Sequence, residues 1–515
     1  MQKIINFERH RKSTAEHTSF LAATQSDRAR LIYSAPFRRL QQKAQVFSLE
    51  SNSAVRSRLT HSIEVSHIGR YIVAAIFEKL DTAENIAEEQ KNYWIKNSLA
   101  ISNIVETACL MHDIGNPPFG HFGEAAISKW ASSPEAKVTL CQALNEDDKK
   151  YTDYAPLEDF QNFDGNPQGF RIITKLQGDD GFYGLNLTYT QLVAFLKYTY
   201  SPQTKSQNQN TPFSKKIGFF DTERDVIEGA WNSLNMKNNT RHPLGFLMEA
   251  SDDISYCISD IEDGIEKGII SVEHFRKEVL KDLKKVSDNY NRPHICSELV
   301  KSLRPNKGAA IGIFLFFKTK ISNYLVDSVA QKFVDNYDQF IKLNVDKEII
   351  CKDTLEYDLL QILKDYTGSY LFTSPDAECI ELSGFSIISG ILEEYQKLLT
   401  LSKEQFIFLL TNDSKKIKSE DLHIQRRLIN RLPKKHLRAY KAAIMGCSIP
   451  EAEQKISKSD LYKSLEQFFL EKMFEFDRKK EWNLRTHLVV DFLSGMTDQY
   501  SMECYQMLKG INVKY

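Results

Sequence analysis

Apolar residues recur at helical spacing from the first fifty residues of the chain to the last. In the stretch 100–114, the residues that share one arc at 100° per residue are Ile101, Ile104, Val105, Ala108 and Met111. The regular alternation of apolar and polar residues that a half-buried sheet needs is missing from the sequence. Only 22 Gly and 14 Pro occur in 515 residues, so few positions interrupt the pattern. The sequence therefore predicts a mainly α fold.

The composition is typical of a globular protein with a net charge near zero. With 42% hydrophobic residues, 515 residues can bury one very large core or two to three ordinary ones. Lys and Arg total 67 against 68 for Asp and Glu, a net charge of -1. This balance argues against bulk electrostatic binding to nucleic acid or to a membrane surface. Any anionic ligand must therefore be met by a local cluster of cations.

The cysteines and the N-terminus favour a soluble cytoplasmic protein. The eight cysteines are scattered and include no CxxC pair, which is typical of reduced thiols. The N-terminus has no apolar segment of the signal-peptide kind, and no run of eighteen uncharged apolar residues occurs anywhere. We therefore expect no membrane partner.

Three segments interrupt the helical pattern. Pro, Gln, Asn, Ser and Lys dominate 199–216, which predicts a mobile surface loop, such as a lid or an insertion. Further breaks occur at 303–308 and 373–376. The C-terminal part is therefore expected to be a set of added helices.

Three separated segments place potential metal ligands on or beside helical faces. His61 shares its face with apolar residues four, seven and eleven positions later. His112 follows Ile101 by eleven residues, at nearly the same angle, and Asp113 comes directly after it. Asp252 belongs to an acidic face opposite an aliphatic stripe, a pattern that a simple surface helix would also show.

Each segment alone also has an ordinary structural interpretation. A single His on an apolar face is more often a hydrogen-bonded core residue than a ligand, and a carboxylate-rich face is usually solvated. His67 lies off the apolar face of its helix and is assigned no role. Together, however, two imidazoles and two carboxylates form a mixed set that suits Mn²⁺, Mg²⁺, Fe²⁺ or Zn²⁺. The combination predicts a metal centre that activates water for hydrolysis.

The order His…His-Asp…Asp, with the middle pair in MHDIGNPPFGHFGEAAI, resembles the HD superfamily of metal-dependent phosphohydrolases. Longer motifs over about residues 25–270 resemble the deoxyguanosine triphosphate triphosphohydrolase (dGTPase) family. These motifs are DRARLIYSAPFRRLQQKAQVFSLE, RLTHSIEVSHIGR, FDGNPQGFRI and MEASDDISYCISDIEDG.

The resemblance implies an HD-domain helical core with additional C-terminal helices. We expect a phosphohydrolase core with an N-terminal nucleotide-binding segment over 1–290, and a C-terminal region over 291–515 that contributes to the substrate pocket and oligomer contacts.

The resemblance also implies a metal site and its ligands. The metal is expected to be Mn²⁺ or Mg²⁺. Its ligands, by motif position, are His61, His112, Asp113 and Asp252. Asp252 is preferred to the adjacent Asp253 because it leads a register in which the family places a ligand, a sugar-facing Tyr256 and a further site residue, Asp260.

His121 and Glu124 are the implied catalytic pair. The family places a histidine at the scissile phosphate, with the glutamate orienting and tuning it. Three residues apart, the two side chains share one face if the segment is helical. A carboxylate partner selects one tautomer and raises the basicity of the ring. An ordinary helix N-terminus is the alternative.

The remaining implied residues bind the nucleotide. Gln45 and Arg58 match positions near the sugar and the phosphates, and Asn166 matches a site position of the family. The basic and phenolic groups that resemble those holding the polyphosphate are Lys197, Tyr198 and Lys216. Tyr256 would stack on the deoxyribose and exclude a 2′-hydroxyl. Glu381 and Arg438 are candidates for guanine selection. The basic run 426–438 also suits a solvated face, a nucleic-acid contact or a subunit contact.

The implied reaction is attack by metal-activated water on the α-phosphorus of dGTP, or of other dNTPs, which releases a deoxynucleoside and inorganic tripolyphosphate. Two rival functions stay open: another HD-type nucleotidase or phosphodiesterase, and a dNTP-binding sensor or interaction protein. The resemblance further implies a homo-oligomer, with a hexamer as one form, and single-stranded DNA or dNTPs as effectors. The sequence shows none of these assembly properties directly.

Overall fold

The computed structural model describes residues 1–13, 15–50, 52–177, 184–207, 211–304, 312–446 and 458–511. These residues form 26 α-helices, a few 3-10 turns, one π-helical turn at Ile172–Leu176 and two isolated β-bridges. The predicted mainly α fold is confirmed. Among the described helices, none combines the length and the apolar character needed to cross a membrane.

In chain order, the first thirteen helices are α1 Phe20–Ile32, α2 Ala35–Arg39, α3 Arg58–Thr82, α4 Glu88–Lys96, α5 Ser98–Met111, α6 His121–Ser132, α7 Pro134–Leu144, α8 Glu158–Gln161, α9 Gly165–Arg171, α10 Tyr189–Phe195, α11 Pro202–Gln207, α12 Arg224–Ser233 and α13 Pro243–Glu266. The others are α14 Val272–Asn289, α15 His294–Ser302, α16 Ile313–Asp335, α17 Tyr337–Ile341, α18 Leu355–Tyr370, α19 Pro375–Leu399, α20 Lys403–Leu410, α21 Ser414–Ser419, α22 His423–Ile429, α23 Lys434–Met445, α24 Lys458–Glu475, α25 Arg478–Ser494 and α26 Asp498–Leu508.

The chain divides into two compact units, each built from two separate stretches. Unit 1 comprises Met1–Ile114 and Leu187–Leu382, and unit 2 comprises Gly115–Asn186 and Ser383–Tyr515. The boundary that the sequence analysis expects between residues 290 and 291 is based on where the family motifs end and not on spatial contacts. It stays a prediction.

Unit 1 is organised around α3, α5 and α13. Helix α5 is buried over almost its whole length and packs against α1, α3, α10 and α13. Helix α3 begins with a capping box in which Ser57 and Thr60 satisfy each other's backbone N–H groups. It also packs against α13 and α16. Residues at the end of α5 and in the first turn of α3 are therefore brought into the interior.

The acidic face of α13 is buried at Asp260 and Asp263 and half-buried at Asp252, so the surface-helix interpretation of this segment is wrong. Asp260 and Asp263 have no exposed surface. Nη1 of Arg56 donates to Oδ1 of Asp263 at 2.7 Å, and Arg56 also pairs with Glu262. A cation from the segment before α3 thus compensates carboxylates that the local pattern alone assigns to solvent.

The segment 199–216, predicted as a loop, contains regular structure where it is described. Helix α11 lies within it, and Ser214 is buried. The hydroxyl of Thr211 donates to the phenol oxygen of Tyr200 at 3.0 Å, and the backbone N–H of Gly218 donates to the carbonyl of Tyr200 at 2.9 Å. These hydrogen bonds join the two described parts of the segment, and Arg224 of α12 donates to the hydroxyl of Ser201 at 3.0 Å.

Unit 2 contains a buried polar network around α25. Arg171 donates two hydrogen bonds to Asp491 at 2.8 and 2.9 Å, and the amide of Gln168 donates to the same carboxylate at 3.0 Å. Nε2 of His487 lies 2.9 Å from Oδ2 of Asp159. These contacts join the 115–186 stretch to the C-terminal stretch within one unit.

His242 caps the N-terminus of α13 from a fully buried position. Its Nδ1 accepts a hydrogen bond from the backbone N–H of Leu244 at 3.2 Å, and its Nε2 lies 3.0 Å from the carbonyl oxygen of Ile4. A neutral ring with its proton on Nε2 satisfies both contacts. Burial lowers the pKa of His242 from 6.5 to about 4.

We expect acid to destabilise unit 1 through His242, because the unfolded chain binds a proton near pH 6.5 and the folded protein only near pH 4. The neutral His242 therefore contributes about 3 kcal/mol to the free energy of unfolding above pH 6.5, and this contribution is lost as the pH falls to 4. His242→Asn keeps a capping side chain but should lack this loss. Urea unfolding at pH 7.5 and pH 4.5 measures it. Equal pH dependence in variant and wild type would contradict the assignment.

Candidate active site

Three side chains that can ligate a metal meet in unit 1. Oδ1 of Asp252 lies 3.6 Å from Nε2 of His61 and 3.4 Å from Nε2 of His112. The ligand atoms of the three residues all lie within 4.8 Å of one another. The two imidazole rings stand edge to face, with their centroids 5.4 Å apart. A single cation can therefore contact one atom from each side chain.

Three helices supply these side chains. His61 lies in the first turn of α3, His112 follows the last residue of α5, and Asp252 lies within α13. Nδ1 of His112 lies 2.7 Å from the carbonyl oxygen of Cys109 and can donate to it. This hydrogen bond selects the tautomer whose free lone pair is on Nε2.

Gly69 allows the three helices to approach closely. A Cβ at this position of α3 would come 2.7 Å from Sγ of Cys109 on α5 and 3.3 Å from Oγ of Ser251 on α13. Cys109 lies close before His112 in the chain, and Ser251 directly precedes Asp252. The absent side chain therefore lets the ligand-bearing parts of α5 and α13 pack on α3.

The imidazole nitrogens fit a metal ion. His61 is fully buried, and neither of its ring nitrogens has a hydrogen-bond partner. Nε2 of His112 is also buried without one. A buried polar atom that lacks a partner costs about 1–3 kcal/mol. Two imidazoles and a carboxylate suit a divalent cation, which would satisfy one nitrogen of each ring.

The two carboxylate oxygens of Asp113, the fourth predicted ligand, have different partners. Oδ1 lies 3.6 Å from Nε2 of His112, while Oδ2 accepts a hydrogen bond from Nη1 of Arg58 at 2.6 Å. Burial would raise the pKa of Asp113, but the charges of His112 and Arg58 outweigh it and lower the pKa to about 2. Asp113 is therefore ionised beside the three-residue cluster, and its role as a ligand stays a prediction.

The two adjacent acids of α13 have different partners. Asp252 joins the histidines, and its Oδ2 lies 3.9 Å from Nζ of Lys197. Asp253 instead pairs with Lys364, at 3.2 Å between Oδ1 and Nζ. The geometry thus favours Asp252 as the ligand, as the register indicated.

The predicted catalytic pair lies in unit 2, at the start of α6. Nδ1 of His121 lies 2.8 Å from Oε2 of Glu124. Oε1 of Glu124 accepts a hydrogen bond from the backbone N–H of Gly165 at 2.8 Å. The glutamate is buried, whereas the imidazole is 83% exposed. Glu124 therefore holds Nδ1 of an accessible imidazole whose Nε2 is directed away from the carboxylate.

The turn before α6 has a backbone that side chains rarely adopt. Phe119 and Gly120 have φ values of 59° and 53°. The N–H of Phe119 donates to Oδ1 of Asp498 at 3.1 Å. A Cβ at Gly384 would come 2.4 Å from the ring of Phe119. Residues of α19 and α26 therefore stabilise the turn that leads to His121.

Three of the predicted nucleotide-binding residues lie in unit 1, on or next to the helices that carry His61 and Asp252. A β-bridge joins Ala44 to Ser57, so Gln45 and Arg58 lie on adjacent segments, and Oε1 of Gln45 is buried without a hydrogen-bond partner. Tyr256 follows Asp252 by one turn of α13 and is half-buried. Burial and the nearby Asp260 raise the pKa of its phenol.

The other predicted residues are more scattered. Asp260 is fully buried, and burial and the charge of Asp263 raise its pKa well above 3.8. Asn166 lies on α9 in unit 2, directly after the glycine that binds Glu124. The residues that lie elsewhere are Tyr198, next to Lys197, Lys216 in the 211–218 segment, Glu381 on α19 in unit 1 and Arg438 on α23 in unit 2. Their roles stay predictions.

Two buried residues that the sequence analysis did not select lie next to the predicted site residue Lys197. Glu249 is buried, with Oε1 3.6 Å from Nζ of Lys197. Arg241 donates from Nη1 to Oε2 of Glu249 at 2.6 Å. Glu249 lies three residues before Asp252 on the same helix, so helical register could have found it. Arg241 precedes the helix and shows no signal in the sequence.

Known proteins resemble the chain along nearly its whole length. Residues 58–159 match the family model of the HD domain. A probable deoxyguanosinetriphosphate triphosphohydrolase of Pseudomonas aeruginosa is 34% identical over 95% of this chain and 93% of that protein. Deoxyguanosinetriphosphate triphosphohydrolases of Enterobacter sp. (strain 638) and Serratia proteamaculans are 33% and 34% identical, over 97% and 94% of this chain and 96% and 93% of theirs. The chain belongs to the deoxyguanosinetriphosphate triphosphohydrolase family.

Membership of the deoxyguanosinetriphosphate triphosphohydrolase family confirms the resemblance that the motifs indicated. The HD-domain match begins at the first residue of α3 and includes His61, His112 and Asp113. Asp252 lies outside the matched range, and α13 brings it to the two histidines. The site of this family member thus combines the HD motif with a carboxylate from later in the chain.

We expect His61→Ala to abolish stabilisation by a divalent cation, because the variant removes one of the three clustered ligands. At a Mn²⁺ concentration of about 100 times Kd, the wild type should gain about 2.7 kcal/mol of stability. Thermal melts with Mn²⁺, with Mg²⁺ and with EDTA measure this gain. His67→Ala is the matched control, since His67 is exposed on the same helix. An undiminished gain in His61→Ala would rule the cluster out as the metal site.

Proposed function

We propose that this protein hydrolyses dGTP to deoxyguanosine and inorganic tripolyphosphate in a reaction that requires a divalent cation. The observation that carries the proposal is the His61–His112–Asp252 cluster, whose buried imidazole nitrogens lack other partners. It occurs in a chain that is 33–34% identical to curated deoxyguanosinetriphosphate triphosphohydrolases over almost its full length. Other dNTPs are candidate substrates of the same site.

His61, His112, Asp252 and, by motif, Asp113 would hold the cation. When bound, a divalent cation stabilises negative charge on a phosphoryl group and makes a nearby water more acidic. Arg58 keeps Asp113 ionised and oriented through its 2.6 Å hydrogen bond. Mn²⁺ and Mg²⁺ both suit the mixed oxygen and nitrogen donors, and we propose that one of them is used.

We propose that His121 exchanges a proton at the scissile phosphate. Hydrolysis forms a bond between a water oxygen and the α-phosphorus and breaks the bond from that phosphorus to the 5′-oxygen, which must then gain a proton. A protonated His121 can give this proton from Nε2 while Glu124 holds Nδ1. The titration range of imidazole suits this exchange near neutral pH.

The triphosphate needs several cations in a chain of net charge -1. We propose that Arg58, Lys197 and Lys216 supply them, because charge-assisted hydrogen bonds to phosphate are strong. Tyr198 would add a phenol donor, and Gln45 and Asn166 amide contacts. We further propose that Tyr256 stacks on the deoxyribose beside Asp260, and that Glu381 and Arg438 contribute to guanine selection. A cytoplasmic location, oligomer formation and regulation by single-stranded DNA remain predictions.

The function is tested by incubating the protein with each dNTP and with GTP in Mn²⁺, and identifying products by ³¹P NMR and chromatography. We expect deoxyguanosine and tripolyphosphate from dGTP, and little turnover of GTP because Tyr256 leaves no room for a 2′-hydroxyl. His121→Ala should lower kcat by about 100-fold or more through loss of acid–base catalysis.

His67→Ala is the control and should retain full activity. Orthophosphate as the first product would favour a nucleotidase of the same superfamily. Binding of dGTP without turnover would favour a sensor, and so would full hydrolysis by His121→Ala.

A further inference from the structure

Arg241 is a buried arginine close to the metal cluster. It is only 3% exposed and precedes α13 by two residues. Its Nη1 donates to Oε2 of Glu249 at 2.6 Å, and its Nη2 donates to the carbonyl oxygen of Gly245 at 2.8 Å. An arginine stays charged in a protein interior, so its burial is costly unless the charge is paired. Its contacts therefore need an explanation beyond packing.

The first contact leads through Glu249 to Lys197. Glu249 uses one oxygen for Arg241 and places the other 3.6 Å from Nζ of Lys197. Lys197 in turn lies 3.9 Å from Oδ2 of Asp252. Because one oxygen of Glu249 is bound by Arg241, the other oxygen is held in a fixed position next to the ammonium group of Lys197. Lys197 therefore presents a fixed positive charge beside the cluster.

A third contact of Arg241, with two aromatic rings, leads to the segment that carries Lys216. The guanidinium carbon of Arg241 lies 4.4 Å from the ring centroid of Phe246 and 5.3 Å from that of Phe213. The two rings contact each other edge to face at 5.4 Å. Cation–π contacts at this distance are attractive, and more so when solvent is excluded. Phe213 therefore fixes the described segment 211–218 against α13.

We propose that Arg241 is a positioning residue that sets the locations of two phosphate-binding cations, Lys197 through Glu249 and Lys216 through Phe213. Arg241 itself touches no substrate. This inference rests on the proposed function in that the anion is taken to be the polyphosphate of a nucleotide. One guanidinium thereby couples two basic groups that come from different segments of the chain.

A purely structural role for Arg241 makes a different prediction. Buried ion pairs often contribute little net stability, and loss of one partner is destabilising wherever the pair lies. Such a loss would lower the melting temperature but leave the affinity of the folded protein for anions unchanged. Arg241→Lys separates the two roles, since it keeps the positive charge but cannot donate to Glu249 and Gly245 and stack on Phe213 at once.

The test is calorimetric titration of the full-length protein, loaded with Mn²⁺, with inorganic tripolyphosphate. We expect Arg241→Lys to weaken tripolyphosphate binding by about tenfold while Mn²⁺ affinity stays within about twofold of the wild type. In a dGTP assay the variant should raise KM more than it lowers kcat. Arg224→Lys is the matched control, because Arg224 binds Asp221 and Ser201 and contacts neither Glu249 nor Phe213.

Double-variant cycles make the test specific. Phe213→Leu should weaken tripolyphosphate binding in the wild type and add nothing in a Lys216→Met background. Likewise, Glu249→Gln should weaken binding in the wild type and add nothing in a Lys197→Met background. This second cycle keeps the test valid if Arg241→Lys fails to fold. Additive effects in both cycles, or an Arg241→Lys protein with wild-type tripolyphosphate affinity, would overturn the proposal. Because binding is measured without turnover, failure to hydrolyse dGTP would count against the proposed function alone.

Discussion

Two imidazoles and a carboxylate meet where α3, α5 and α13 pack together, and the buried ring nitrogens of the two imidazoles constrain the surrounding structure. Polar atoms in such a position must find partners, and the helices supply too few. A divalent cation would restore the balance. The close packing at Gly69 keeps the three helices near enough for one ion to reach all three side chains.

Ion pairs surround the His61–His112–Asp252 cluster. Arg58 balances Asp113, Lys197 faces Asp252, and Lys364 takes the neighbouring Asp253. Behind them, Arg241 balances Glu249 from a position near the start of α13. Such pairing lets many ionised groups share a small volume, since each would be costly alone. These pairs comprise four cations and four carboxylates, so a divalent cation at the cluster would add positive charge that a polyphosphate requires.

Helical periodicity was enough to predict the fold class and the faces that carry His61 and His112, because both depend on residues close in sequence. The preference for Asp252 over Asp253 came instead from the resemblance, which places a metal ligand at the head of the register Asp252, Tyr256 and Asp260. Distant packing was not predictable. Asp263 looked solvent-facing because its partner, Arg56, lies far away in the chain. The division into two units depends on contacts between stretches that are far apart, which no local pattern encodes.

The hydrogen bond from Phe119 to Asp498 spans 379 residues of sequence. A ribosome therefore has to complete almost the entire polypeptide before the turn that leads to His121 receives this contact. During synthesis α6 emerges early, but its contact with α26 can form only after α26 has been made. The turn before α6 therefore reaches its final contacts late, when translation is almost complete. A nascent chain that stalls before α26 would already carry His61, His112 and Asp252 while the turn beside His121 is incomplete.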